Sequence, residues 1–157
     1  MVIIIELIAL IAFLFISRKD LKKIFHLKKN SLIKGIIIGI IYSLLIFIGK
    51  HTSIGASTIN QFIHGIKVPF FVLYIIYPLV IAFAEEFIFR YFIASKLGII
   101  LTAILFTILH WRPNFPVLLY LPVLILALSQ SLLFNKTKSL IPLIIVHLFV
   151  TYSLLLL

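Results

Sequence analysis

The chain has 157 residues, 64% of them hydrophobic and 11% charged, with no cysteine. So few charges cannot cover that much apolar surface in water, which excludes an ordinary soluble domain and indicates an integral membrane protein. The absence of cysteine excludes disulfides, thiolate metal sites and thiol nucleophiles. The net charge of +10 is read as lysines facing anionic headgroups, not as a surface for nucleic acid.

The length allows a single membrane domain over 1–157 and about six spans at roughly 20 residues each, loops included. The first apolar run, MVIIIELIALIAFLFIS, has no basic residue ahead of it and is followed by RKDLKK. That order is not a signal peptide's and predicts a retained helix over 2–17 with its N-terminus outside. The connector 18–34 carries Arg18, Lys19, Lys22, Lys23, Lys28, Lys29 and Lys34. Leu21, Ile24 and Phe25 fall at helical spacing among these charges. A basic amphipathic helix on the inner leaflet fits, and so does a charged loop that only fixes topology.

The second helix is predicted over 32–49. Its Gly35, Gly39 and Ser43 are four apart, a spacing that lets two membrane helices approach closely. Packing within the chain is expected in preference to dimerisation, and the oligomeric state stays open. Residues 50–67, KHTSIGASTINQFIHGIK, form the longest polar segment. They read as an exposed loop, with a lid as the alternative.

Four further helices are predicted over 68–95, 97–111, 116–134 and 140–157. The turn after the third carries Arg90 and Lys96, and the connector 135–139 carries Lys136 and Lys138. Eleven basic residues thus fall on one side, against Lys50, Lys67 and Arg112 on the other. The positive-inside bias places the eleven in the cytoplasm and both termini outside. The expected fold is an all-α polytopic bundle, multi-pass in the cell membrane, with the lipid bilayer as its first partner.

Within the third helix stands AFAEEFIFR, residues 82–90. An acidic or basic side chain at the bilayer centre costs about 2.5–3.5 kcal/mol on insertion scales. Glu86 and Arg90 are four apart, so a salt bridge on one helical face is expected. Glu85 is rotated about 100° from Glu86 and is left for another partner. His110 and His147 also lie in apolar runs. With a turn at 96–98, Glu85 and His110 both rise about 16–18 Å above it, and His147 lies about 12 Å above the same side. Three helices thus bring polar groups to a similar depth, and intramembrane ionisable residues mark a functional site by default. Thr151, four residues after His147, is placed to support it or to bond the backbone carbonyl at 147.

This combination resembles the CPBP intramembrane proteases (CAAX proteases and bacteriocin-processing enzymes, the Abi family), whose relatives include the type II CAAX prenyl endopeptidases. The family's EExxxR is Glu85-Glu86-Phe-Ile-Phe-Arg90, its FxxxH is Phe106-Thr-Ile-Leu-His110, and its third motif is His147-Leu-Phe-Val-Thr151. The resemblance covers about 68–157. Thr151 stands where the family has Asn or Asp.

The resemblance implies peptide-bond hydrolysis in a lipid-exposed, membrane-associated or prenylated substrate. Glu85 would be the general base, His110 would hold the same water, His147 with Thr151 would stabilise the oxyanion, and Glu86 would anchor Arg90. Glu85, His110 and His147 are also a His₂Glu set suited to zinc, and the sequence leaves both chemistries open. Two other classes compete: a non-catalytic membrane scaffold or immunity protein of the same fold, and a small proton-coupled transporter. The lack of two related halves weighs against the transporter.

Overall fold

The computed structural model describes residues 11, 18–52, 56, 71–111 and 116–156. Every regular element among them is helical. The predicted span 2–17 and most of the loop 50–67 lie outside the described residues, and with them the six-span count and the sidedness of the termini.

Helix α1 is described over Arg18–Ile24, and its apolar side is held by contacts with the rest of the protein. Ile24 is buried with Ala84, Phe87 and Leu140, and Leu21 and Phe25 pack beside it. The connector is helical over 18–24, as the first of its two readings expects, but the apolar side expected on the leaflet is turned onto the protein.

Helix α2, Lys29–Lys50, buries its small residues. A Cβ at Gly35 would lie 2.6 Å from the carbonyl oxygen of Pro142, and one at Gly39 would lie 2.7 Å from the ring of Phe149. Ser43 accepts a hydrogen bond from Ser153 at 2.7 Å. The expected close approach is therefore made within the chain, against the helix bearing Pro142, Phe149 and Ser153. The outer face of α2, with Ile37, Ile41, Leu44 and Ile48, is exposed.

The next helical run opens with a π-helical segment, Val72–Ile76, and continues as α3, Tyr77–Glu86. Pro78 lacks the N–H of a regular turn and its ring crowds the carbonyl four residues back, which accounts for a widened turn just before it. A second π segment, Phe87–Ile93, leads into α4, Ala94–Leu109, which is broken at Gly98 (φ 77°, ψ 174°). Only glycine adopts that backbone without strain. The chain folds back there, within the turn predicted at 96–98. Phe89 on the first arm meets Phe106 on the second edge to face, 5.0 Å between centroids.

A 3₁₀ turn, Val117–Leu119, starts α5, Tyr120–Thr137, and α6, Ile141–Leu156, completes the set. By length and composition two described helices can cross a membrane, Lys29–Lys50 and the run Tyr74–Leu109 that Gly98 divides; Ile141–Leu156 is a shorter apolar helix.

One reading is corrected. Arg90, counted among the basic residues of the cytoplasmic turn, is fully buried. It lies within a helical segment, two turns ahead of Gly98, and takes no part in the charged end of the molecule.

Candidate active site

Four helical segments converge on the acidic pair. Glu85 and Glu86 close α3, Arg90 follows on the π segment, His110 ends α4, and His147 projects from the middle of α6. Glu86 and Arg90 are wholly buried, and Glu85, His147 and Thr151 nearly so. The His110 side chain stays 38% exposed, so the group is not sealed at this residue.

Glu86 and Arg90 pair as their spacing predicts, with Oε2 and Nε 3.2 Å apart. The contact is ionic; its angle falls short of a hydrogen bond, and both atoms lack other partners. The other Glu86 oxygen lies 2.9 Å from Nδ1 of His147. A carboxylate only accepts, so Nδ1 donates and Nε2 is the atom His147 presents to the site. Among the described residues Glu86, not Thr151, is the partner of His147, and Glu86 therefore does more than anchor Arg90.

His110 is fixed in the same way. Its Nδ1 donates to the carbonyl of Phe106 at 2.8 Å, its ring lies on that of Phe106 at 4.2 Å, and Nε2 is left as an acceptor. Oε2 of Glu85 is buried without a hydrogen-bond partner. It stands 3.7 Å from Nε2 of His110 and 3.8 Å from Nε2 of His147. These separations are too long for direct hydrogen bonds. One water about 2.8 Å from each atom can bridge them, with an angle of about 84° at its oxygen.

The same three side chains are also a His₂Glu donor set for zinc. Tetrahedral bonds of about 2.0–2.2 Å place ligand atoms about 3.3–3.6 Å apart, within a few tenths of an ångström of the 3.7 and 3.8 Å measured from Glu85. Among the described residues no group of three or more acidic or histidine side chains is arranged to hold a metal ion.

The sequence reading missed Gln130 on α5. It is 1% exposed, and its Oε1 accepts a hydrogen bond from Nη2 of Arg90 at 2.9 Å. The guanidinium also lies over the ring of Phe106, 4.9 Å from its centroid. A polar chain thus runs from α5 through Gln130, Arg90 and Glu86 to His147 on α6. The available signal was a lone amide in an apolar helix. Cavity size does not mark the site: a cleft of about 940 Å³ between α4 and α5 reaches Arg90 but not Glu85, His110 or His147.

Residues 67–153 match the family model described as Type II CAAX prenyl endopeptidase Rce1-like. The chain belongs to the Rce1-like family. Membership makes it a relative of membrane-associated proteases, and the match spans all three motifs and every residue of the buried group. No curated protein and no solved structure is similar enough to match the chain.

Proposed function

We propose that the protein is an intramembrane endopeptidase, multi-pass in the cell membrane. Its substrate is a lipidated, for example prenylated, or otherwise membrane-associated peptide or protein. The supporting observation is the unpartnered Glu85 Oε2 facing Nε2 of His110 and of His147 at 3.7 and 3.8 Å.

A water between these atoms donates one proton to Glu85 and the other to His110 Nε2. Both residues hold it, and Glu85 takes the proton as the water oxygen attacks the scissile carbonyl. The C–O bond forms, and the carbonyl π electrons move to oxygen. His147, donating from Nε2, faces that oxyanion, with Glu86 behind Nδ1 to balance the imidazolium charge. The proton on Glu85 then passes to the leaving amide nitrogen as the C–N bond breaks. Arg90 and Gln130 touch neither water nor substrate; they hold Glu86.

The test is cleavage of a prenylated reporter-peptide library in liposomes. Glu85→Gln preserves the shape and removes the base, so kcat is expected to fall about 10²–10⁴-fold. His110→Ala is expected to impair cleavage as well. Wild-type rates in both variants would defeat the assignment. A non-catalytic scaffold is the second reading, favoured by Thr151 in place of the family's Asn or Asp; it predicts that Glu85→Gln is silent in every function-dependent readout.

A further inference from the structure

Outside the buried group, the strongest charged feature is one end of the helix bundle. The 138–140 segment is tied to the α1–α2 linker: Leu140 N–H donates to the carbonyl of Ile24, and Ser139 Oγ to that of His26, each at 2.7 Å. This gathers the exposed Lys19, Lys22, Lys23, Lys28, Lys29, Lys136 and Lys138 onto one surface. Asp20 is the acidic residue within 18–34. Leu27, 61% exposed, stands among the lysines, as an apolar residue does where headgroups meet acyl chains.

The same surface touches the helix that carries Glu85. Ile24 packs on Ala84 and Phe87. Phe25 stacks on Phe83, Phe83 on Phe87 and Phe87 on Tyr91, with centroids 5.9, 5.8 and 5.6 Å apart. The mutual repulsion of Lys19, Lys22 and Lys23 on α1 with Lys136 and Lys138 opposes the seating.

We propose that this basic end binds the headgroups of anionic phospholipids, and that lipid bound there keeps α1 seated against α3 beside Glu85. Membrane lipid is the source favoured because the surface borders exposed apolar helix faces: Ile33 on α2 and Leu132 on α5 are both solvent-facing in the protein alone. Headgroup charge cancels the repulsion among the lysines, and its effect falls away within a Debye length. The binding stands independently of the protease reading; an effect on cleavage rests on it.

The experiment compares amide hydrogen exchange of the full chain in two kinds of nanodisc. One contains phosphatidylcholine alone, and the other about one-third phosphatidylglycerol. Exchange over residues 18–27 and 77–90 is expected to be at least about threefold slower with phosphatidylglycerol. The K19Q/K22Q/K23Q variant is expected to lose most of that difference, and about 0.5 M salt to reduce it in wild type. Equal exchange in the two discs would overturn the proposal, as would an undiminished effect in the variant. Slowing by soluble glycerophosphate in phosphatidylcholine discs would overturn the lipid source. Reporter cleavage should rise with phosphatidylglycerol in parallel. If no disc supports cleavage while the exchange difference stands, the protease reading fails and this one survives.

Discussion

Glu86 is the residue on which the buried group turns. One oxygen faces Arg90, a turn further along its own helical run, and the other faces His147 on α6. The ionisable residues were legible in the sequence because each is costly in an apolar segment and so demands a reason. The Glu86–Arg90 pair followed from its i,i+4 spacing. The Glu86–His147 contact did not, because helical spacing carries no information between helices. Gln130 went unnoticed because a single amide is cheap enough to be overlooked, yet it is the described hydrogen-bond acceptor of Arg90. Gln130→Leu is expected to lower stability by about 1–3 kcal/mol, the cost of leaving a buried donor unsatisfied. It should also lower kcat more than it raises KM, because the loss reaches the reaction only through Glu86. A thermal melt with steady-state kinetics measures both. The metal-free mechanism proposed for Glu85 carries a second expectation: chelator-treated protein, shown free of zinc by elemental analysis, should keep its cleavage rate. A loss restored by zinc would reverse the choice between the two chemistries.

Among the elements, α2 and α6 form the packing that places His147. The stripe of Gly35, Gly39 and Ser43 was legible as an approach surface, and α6 is the partner it finds. The π segments were not legible, since hydrophobic periodicity does not distinguish a widened turn from a regular one within an all-apolar run. The third and fourth helices were expected as separate segments, and Gly98 supplies the break between them. Adding a methyl group at Gly35 drives it into the Pro142 backbone, which cannot rotate away as a side chain does. Gly35→Ala is expected to cost about 1–3 kcal/mol and to move α6, and with it His147. Gly49→Ala on the same helix is the control. A Cβ there meets nothing within 4 Å, so neither the melting temperature nor activity should fall. Equal behaviour of the two variants would mean that the α2–α6 contact does not set the position of α6.

For the whole molecule, charge and apolar surface are separated. Ile41, Leu44 and Leu45 on α2, Ile100 and Ile108 on α4, and Leu121 and Ile125 on α5 are all exposed, a perimeter suited to lipid rather than water. Burial of Arg90 removes it from the topology argument and leaves ten basic residues against three, so the inferred direction survives its correction. Lys96 is exposed at the Gly98 fold, and that fold shares a cleft with Asn135 and Lys138. It therefore belongs to the same end as α1 and the 136–140 segment. The ten-to-three bias predicts that this end faces the cytoplasm. In right-side-out vesicles a membrane-impermeant amine reagent should leave Lys19, Lys22, Lys23, Lys96, Lys136 and Lys138 unmodified and label Lys50. Inverted vesicles should give the reverse pattern. Mass spectrometry of the labelled peptides reads both. Labelling of Lys96 together with Lys50 from one side would contradict the common end. Exchange of the two whole patterns would keep the helix arrangement and invert its orientation, placing the lysine-rich surface on the outer leaflet.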